Sequence, residues 1–229
     1  MPSILITGAN RGLGFEFARQ YGADGWRVFA TCRHPIAAAA LQELVARAGM
    51  VRIIPLDVKN LESVRQAATR IEEPIDILIN SAGIGGNRDE KTGNVDYESW
   101  REVLNVNTMG PLRVTEAFVD HLARSERKLV VTITSGMGSI TDNTSGGSIP
   151  YRSSKAAVNM VMRTVSIDLA PRGITSVVIN PGWVKTDMGG SSAPVTPTES
   201  VSAMIGLIGK LGPTESGKFF NHDGREYPW

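Results

Sequence analysis

Tyr151 and Lys155 are the side chains of this sequence best placed to move a proton. Their i, i+4 spacing puts both on one face of a predicted helix. A free phenol has a pKa of about 10 and is a poor acid near neutral pH. An ammonium held beside it favours the phenolate and lowers that pKa toward the working range. The pair therefore predicts a tyrosine that exchanges a proton with a bound molecule.

The Tyr-x-x-x-Lys spacing alone occurs often by chance, and it is more often a lysine whose alkyl chain covers an aromatic ring. Its significance here comes from context. Ser135 follows a predicted strand, 128–134, just upstream of the helix, and a glycine-rich turn follows the first predicted strand, 3–7. Together these features favour a catalytic site.

The glycine-rich turn has the composition of a dinucleotide-binding loop. Gly8 permits a tight turn, Gly12 lets backbone N–H groups approach a pyrophosphate, and Gly14 lets the next helix pack closely on the sheet. The helix N-terminus adds partial positive charge. Glycines mark any strand-to-helix turn, but at the first βα junction they favour nucleotide binding. The residues predicted to contact the dinucleotide are Gly8, Asn10, Arg11, Gly12, Leu13 and Gly14.

The end of the second predicted strand favours NADPH over NADH. NAD sites usually carry an acidic side chain there, which binds the ribose hydroxyls. This sequence has Thr31-Cys32-Arg33 instead. Arg33 would pair with a 2′-phosphate, and Arg11 would close on it from the other side. The alternative is that both arginines are solvated surface residues.

Small and polar residues follow the third and fourth predicted strands, where strand ends line the ligand crevice of a parallel sheet. They are Asp57 and Val58, and then Asn80, Ala82 and Gly83. Asp57 is placed to bind the adenine amino group and Asn80 to hold the cofactor side of the crevice. Asp57 and Asn80 would serve equally well as a helix cap or a turn residue.

The elements that must position these residues alternate along the whole chain. Apolar β-branched runs are separated by amphipathic segments, a pattern that indicates βαβ units with parallel strands covered on both faces. We predict an α/β fold: one doubly wound Rossmann domain over residues 1–229, with a parallel sheet of about seven strands and helices on both faces. The predicted strands are 3–7, 27–31, 51–56, 75–80, 128–134, 175–180 and 218–220.

A long helical pattern and two irregular stretches complete the organisation. In the 97–122 pattern, Asn107 and Gly110-Pro111 predict a local distortion. Segments 85–93 and 189–197 lack periodicity and are predicted to be surface loops near the mouth of a site.

Composition disfavours several classes of protein. Of 229 residues, 41% are hydrophobic and 21% charged, and the net charge is +1 without a basic patch that would favour nucleic acid. No apolar stretch reaches membrane-spanning length. The single cysteine, Cys32, cannot form an internal disulfide, and three dispersed histidines show no metal-ligand spacing. We expect a cytoplasmic protein without nucleic-acid, membrane or metal partners.

The motifs jointly resemble those of the short-chain dehydrogenases/reductases, and the resemblance covers nearly the whole chain. Within that family the chain is most similar to the Sniffer-type carbonyl reductases and bacterial C-factor proteins, through segment 181–194 and the ending Tyr227-Pro228-Trp229. The family motifs present are Thr7-Gly8-x-x-x-Gly12-x-Gly14, Asn80-x-Ala82-Gly83, Asn107, Ser135, Tyr151-x-x-x-Lys155 and Pro181-Gly182.

The resemblance implies a reductase with NADP(H) as cofactor and gives each catalytic residue a role. Tyr151 gives a proton to a carbonyl oxygen as hydride leaves the nicotinamide, and Ser135 hydrogen-bonds the same oxygen. Lys155 lowers the pKa of Tyr151 and holds the nicotinamide ribose. Asn107 fixes a water that connects Lys155 to solvent.

Two further segments take part in the implied site. After Pro181-Gly182, Thr186 would hydrogen-bond the nicotinamide carboxamide with help from the backbone of Val184. The connection 141–148 is rich in Gly, Ser and Asn, so the sequence leaves Thr134 and Ser139 as alternatives to Ser135.

The segments after the fourth, fifth and sixth strands should line a substrate pocket. Ile84, Met137, Trp183 and Met188 are apolar, which suits a small hydrophobic aldehyde, ketone or quinone. Ordinary packing under a loop is an alternative for Trp183 and Met188.

A second apolar stripe on the Tyr151 helix concerns assembly. It consists of Ala156, Met160 and Ile167, and a helix with two apolar faces needs two partners. The resemblance implies a homodimer or homotetramer through such helices, whereas a neighbouring helix of the same chain would also cover the stripe.

A different class of function is a dinucleotide-binding signalling or sensor protein that keeps the same fold. Such a protein has no need of Tyr151, Lys155, Ser135 and Asn107 together. Their joint presence favours catalysis.

Overall fold

A single parallel sheet of seven strands organises the molecule, in the order β3-β2-β1-β4-β5-β6-β7. The structure is a computed structural model that describes residues 1–87 and 89–229; Arg88, in the predicted 85–93 loop, lies outside the described residues. The strands are β1 Ser3–Ile6, β2 Arg27–Cys32, β3 Val51–Pro55, β4 Ile77–Asn80, β5 Leu129–Ile133, β6 Thr175–Asn180 and β7 Phe219–Asn221.

Helices cover both faces of the sheet. Their bounds are α1 Gly12–Ala23, α2 Ala39–Arg47, α3 Leu61–Thr69, α4 Tyr97–Leu104, α5 Gly110–Ala123, α6 Ile149–Asp168 and α7 Pro197–Ile208, with short 3₁₀ turns at Pro35–Ala37, Gly136–Gly138, Ala170–Arg172 and Pro213–Glu215. Ile4 and Ile6 of β1 pack with α1, α2 and α7, whereas Leu5 packs with α3, α5 and α6. The predicted doubly wound α/β fold is confirmed.

The predicted strands agree with the structure to within two residues. The largest difference is β4, which was predicted to begin at Ile75 and begins at Ile77. The Ile75 N–H donates to the carbonyl of His121 at the end of α5 instead of joining the sheet.

The distortion predicted near Asn107 is a turn of π-helix. It spans Asn105–Met109 and separates α4 from α5. Such turns are frequent at functional sites because they displace a side chain from the regular helical position. Asn107 is buried in the middle of this turn.

The strand order places a crevice at the carboxyl ends of the neighbouring strands β1 and β4. The chain builds outward from β1 in one direction through β3 and in the other from β4 to β7. At such a reversal the loops after neighbouring strands diverge and leave room for a ligand at the carboxyl ends.

Candidate active site

A cavity of about 950 Å³ opens at the carboxyl ends of the strands. It brings together all the predicted site residues except Asn80 and Asn107. Those that line it are Gly8, Asn10, Arg11, Gly12, Leu13, Gly14, Arg33, Asp57, Val58, Ala82, Gly83, Ile84, Ser135, Met137, Tyr151, Lys155, Pro181, Gly182, Trp183, Val184, Thr186 and Met188.

Lys155 lies buried beside Tyr151, only 5% exposed. Its Nζ is 5.7 Å from the centroid of the Tyr151 ring and donates to the carbonyl oxygen of Ile133 at 3.0 Å. Burial lowers the pKa of the Lys155 ammonium to about 8, because desolvation penalises the charged form. Near neutral pH the site therefore holds a cation next to the tyrosine.

The rest of α6 explains why this pair points into the cavity. The side chains that continue the same helix face are buried against the sheet, namely Val158, Met162 and Val165. Packing of this stripe fixes the rotation of α6 about its axis. The same rotation directs Tyr151 and Lys155, at the end of the helix nearest the cavity, toward the cavity.

Of the three hydroxyls considered after β5, Ser135 is the one available to a ligand. It lines the cavity, and its oxygen accepts the N–H of Met137 at 3.1 Å. Thr134 donates its hydroxyl to the side-chain oxygen of Asn159 at 2.6 Å, and Ser139 is buried away from the cavity lining. Within the part of the chain that the structure describes, the Ser135 hydroxyl proton has no acceptor.

The glycine turn is packed tightly against the loop after β4. Gly8 has φ +67°, and a Cβ placed on it would lie 2.9 Å from Cα of Ala82. A Cβ on Gly14 would lie 2.4 Å from the Gly8 carbonyl oxygen. The Thr7 hydroxyl oxygen accepts the N–H groups of Ser81 and Ala82 at 3.0 and 3.1 Å. Thr7 therefore joins the two loops, a role that sequence reasoning missed.

The two predicted phosphate-binding arginines differ in their surroundings. Arg33 is exposed at the cavity and forms no hydrogen bond or ion pair with any of residues 1–87 and 89–229. Arg11 bonds to Asp187 at 3.1 Å, with both side chains mostly exposed. An exposed ion pair of this kind is weak, so Arg11 can exchange Asp187 for a ligand anion.

The position of Asp57 is compatible with both interpretations that the sequence left open, a contact to adenine and a turn residue. It lines the cavity, and its carboxylate also accepts the N–H of Lys59 at 3.0 Å, as a turn residue does. Its own N–H donates to the hydroxyl oxygen of Ser63.

Asn80 is absent from the cavity lining among the described residues, so its predicted part in holding the cofactor side of the crevice stays a prediction. Its amide donates to the hydroxyl oxygens of Thr115 and Thr132 at 3.2 and 3.3 Å. The side chain lies on the interior face at the end of β4, where it ties that strand to α5 and β5.

Asn107 also lies behind the cavity wall. Its side chain donates to the Ile84 carbonyl at 2.8 Å and accepts the Ile84 N–H at 2.9 Å, and it donates to Ser154 at 3.0 Å. A Cβ on Gly83 would lie 3.4 Å from the Asn107 Oδ1 and 3.8 Å from the Lys155 Nζ. Asn107 thus fixes the loop that covers Lys155.

Asn180, at the end of β6, is a further residue that sequence reasoning missed. Its oxygen accepts the N–H groups of Gly136 and Gly182 at 2.9 and 3.2 Å, and its amide donates to Asn221 at 2.9 Å. One side chain therefore joins the loops after β5 and β6 to the last residue of β7. Its position directly before Pro181-Gly182 was the available signal.

The loop after β6 forms one wall of the cavity and is braced internally. The indole N–H of Trp183 donates to the Gly189 carbonyl at 2.8 Å, and the Gly189 N–H donates to the Thr186 hydroxyl oxygen at 3.1 Å. Trp183 and Met188 are 54% and 37% exposed. They lie at the open side of the cavity.

The described residues contain no cluster of His, Cys, Asp or Glu that would hold a metal ion. Among the same residues, none of the helices has the length and apolar content needed to cross a lipid bilayer.

Comparison with known proteins identifies the family. The model of the short chain dehydrogenase family matches residues 2–195. The chain belongs to the short-chain dehydrogenase family. The C-signal protein of Myxococcus xanthus, a family relative, is 45% identical over 156 residues, which cover 68% of this chain and 93% of C-signal.

Solved structures of the family superpose along the full chain. The carbonyl reductase Sniffer of D. melanogaster has a TM-score of 0.94 and 33% identity, with 100% of both chains covered. The NADPH-bound carbonyl reductase from chicken fatty liver has a TM-score of 0.94 and 35% identity, with 100% of this chain and 99% of that chain covered. This short-chain dehydrogenase is therefore an oxidoreductase.

Proposed function

We propose that this enzyme reduces a small hydrophobic aldehyde, ketone or quinone to the alcohol with NADPH. The observation that carries the proposal is the burial of Lys155 beside Tyr151 in the same cavity as the glycine turn. This arrangement places a proton donor within reach of a bound nicotinamide.

The cavity fits NADP(H). The first N–H groups of α1 lie at the glycine turn, and Arg11, which precedes the helix, makes no side-chain cap to them, so they are available to a pyrophosphate. Arg33 stands at the end of β2 where an acidic residue would select NADH. The chicken reductase has NADPH bound, and a short-chain dehydrogenase/reductase from Burkholderia multivorans has NADP bound.

When bound, NADPH supplies the hydride that reduces the carbonyl carbon. Tyr151 donates its phenolic proton to the carbonyl oxygen, and Ser135 donates a hydrogen bond that orients the same oxygen. The Lys155 cation stabilises the phenolate that Tyr151 becomes and binds the ribose. Asn107 holds the Ile84 loop over Lys155, on the route by which water returns a proton.

The cavity wall beyond Tyr151 supports the proposed substrate class. Ile84, Met137, Trp183 and Met188 all line it, and none carries a charge. Such a wall favours an aromatic or aliphatic carbonyl compound over a sugar or a phosphate ester.

The proposal is tested by following NADPH oxidation with aromatic aldehydes, α-diketones and quinones, and by identifying the alcohol or hydroquinone product. We expect turnover with several of these compounds and much less with charged aldehydes of the same size. Absence of turnover with every carbonyl compound, despite NADPH binding, would contradict the proposal.

The likeness to C-signal supports a second candidate, a dinucleotide-binding signalling protein. A protein of that kind requires the nucleotide cavity only. The assembly of Tyr151, Lys155 and Ser135 at the cavity favours the reductase.

We further propose that the enzyme is a homodimer or homotetramer in the cytoplasm. Met160 and Ile167 on α6 are 68% and 60% exposed, so no other helix within the described residues covers them fully. A second copy is the partner that this stripe favours. Cys32 is a buried free thiol, which suits a reducing compartment.

A further inference from the structure

We propose that Tyr227 is a positioning residue for Ser135. Through Asp142 and Gly136 it fixes the connection between β5 and α6, and thereby the direction of the Ser135 hydroxyl. The inference rests on the proposed function, because it concerns the residue that orients the carbonyl oxygen.

Tyr227 is itself anchored to the sheet. Its N–H donates to the Phe219 carbonyl at 2.7 Å, and its ring lies 5.0 Å from the ring of Phe219, centroid to centroid. Phe219 belongs to β7 and is fully buried. The phenol of Tyr227 is therefore presented from a rigid element.

The phenol reaches both ends of the segment that follows Ser135. Its hydroxyl donates to the Asp142 carboxylate at 2.7 Å. A Cβ built on Gly136 would lie 2.8 Å from the same hydroxyl oxygen and 3.4 Å from Cζ of the ring. Gly136 is the residue directly after Ser135, and Asn180 holds its N–H from the other side.

Trp229 adds a second attachment to the same segment. Its backbone oxygen accepts the Thr141 N–H at 2.9 Å and the Ser139 hydroxyl at 3.1 Å. Its ring lies 5.4 Å from that of Phe219. Segment 136–142 is thus tied to segment 227–229 near both of its ends.

The attachment of segment 136–142 to segment 227–229 is important because the rest of the connection between β5 and α6 has little packing of its own. Residues 141–147 are exposed, and Gly146 and Gly147 both have positive φ. Tyr227 is absent from the cavity lining among the described residues, so its effect on turnover passes through Ser135.

The hydrogen bond to Asp142, the main cause, raises the pKa of the Tyr227 phenol, and burial acts in the same direction. The hydroxyl therefore keeps its proton, and its role as donor, at every pH at which the enzyme would be assayed.

The first experiment compares Tyr227→Phe with the wild type in NADPH-dependent carbonyl reduction. We expect kcat to fall on the order of 10-fold, since small displacements of a catalytic group are costly, while the Kd for NADPH is unchanged. Asp142→Leu should match Tyr227→Phe, and Asp142→Asn, which keeps an acceptor oxygen, should restore most of kcat. Tyr97→Phe removes the hydroxyl of an exposed tyrosine on α4 and serves as control.

A second experiment uses the close approach to Gly136. Gly136→Ala alone should lower kcat, because the added methyl meets the Tyr227 hydroxyl. In the Tyr227→Phe background that hydroxyl is gone, so the same change should cost much less. Independent, multiplicative effects of the two substitutions would overturn the inference.

Hydrogen exchange separates this inference from the proposed function. Tyr227→Phe should speed exchange of the amides in 136–142, whatever the activity. A wild type that binds NADPH but reduces no carbonyl compound refutes the proposed function. Hydrogen exchange in 136–142 then still tests whether Tyr227 holds that segment. A variant with wild-type kcat, or with wild-type exchange in 136–142, refutes the role of Tyr227 and leaves the proposed function intact.

Discussion

At the scale of single residues, Lys155 is the clearest sign that the cavity was shaped for chemistry. A buried ammonium that has one carbonyl acceptor among the described residues is costly to the folded state. Replacement by an apolar residue of similar shape is often harmless to stability. The proposed function gives a reason for lysine at this position, because its cation would stabilise the phenolate of Tyr151.

This cost predicts a pH dependence of stability. Burial lowers the Lys155 pKa from its ordinary value to about 8, so between pH 8 and about 10 the unfolded chain binds more protons than the folded one. The free energy of unfolding due to this group therefore rises with pH over that range. Relative to Lys155→Met, the wild type should gain about 2 kcal/mol between pH 7.5 and 10.

The measurement is urea unfolding of the two proteins at both pH values. Subtracting the variant cancels the other titrating groups, because they are the same in both chains. An equal change in the two proteins would show that the Lys155 ammonium is not desolvated.

Arg33 carries the prediction on cofactor choice. Arg33→Asp should raise the Kd for NADPH on the order of 10- to 100-fold, as expected for loss of a charge-assisted pair, and leave the Kd for NADH unchanged or lower. Titration of both cofactors at one salt concentration tests it. Arg47→Ala, at an exposed helix position, is the matched control, and a similar loss for both cofactors in Arg33→Asp would be inconsistent with 2′-phosphate binding.

At the scale of elements, the sequence predicted the strands and a local distortion near Asn107, which is a π turn in the structure, because both depend on local patterns. β-branched runs and the Asn107, Gly110-Pro111 sequence signal are contiguous in the chain. The glycine turn and the Tyr151 helix were equally local. Their convergence at one cavity follows from strand order, which the βαβ pattern also implies.

The residues that sequence reasoning missed act across long separations. Thr7 bonds to Ser81 over 74 positions, and Asn180 bonds to Gly136 over 44. No local pattern reports such pairs. The Asn80 amide likewise bonds to Thr115 and Thr132, which lie 35 and 52 positions away.

The junction of the glycine turn with α1 gives a prediction at this scale. Gly14→Ala should destabilise the fold by about 1–3 kcal/mol and weaken NADPH binding, because the new methyl would meet the Gly8 carbonyl. Gly206→Ala is the control: Gly206 lies in α7 with nothing within 4 Å of its Cβ position, so the change should be neutral or stabilising. Thermal unfolding with and without NADPH would detect both effects, and an unperturbed Gly14→Ala would contradict the packing argument.

At the scale of the whole molecule, α6 has two roles. One face carries Tyr151 and Lys155 and packs on the sheet, and the opposite face leaves Met160 and Ile167 exposed. If a second copy covers that face, subunit contact and the positions of Tyr151 and Lys155 are linked through one helix.

Met160→Glu with Ile167→Glu should convert the proposed oligomer to a monomer, because two carboxylates would be buried without partners. Size-exclusion chromatography with light scattering measures the mass directly. Ile36→Glu, at a residue that is 94% exposed in the 3₁₀ turn Pro35–Ala37, controls for the loss of surface hydrophobicity. A doubly substituted protein of unchanged mass would exclude α6 as the contact.

The central claim is that Tyr151 supplies the proton during hydride transfer, and single-turnover reduction by Tyr151→Phe tests it most directly. With saturating NADPH and an aromatic aldehyde, the variant should bind cofactor with wild-type affinity and transfer hydride at least about 100-fold more slowly, the usual contribution of a general acid. Hydride transfer at the wild-type rate would contradict the account.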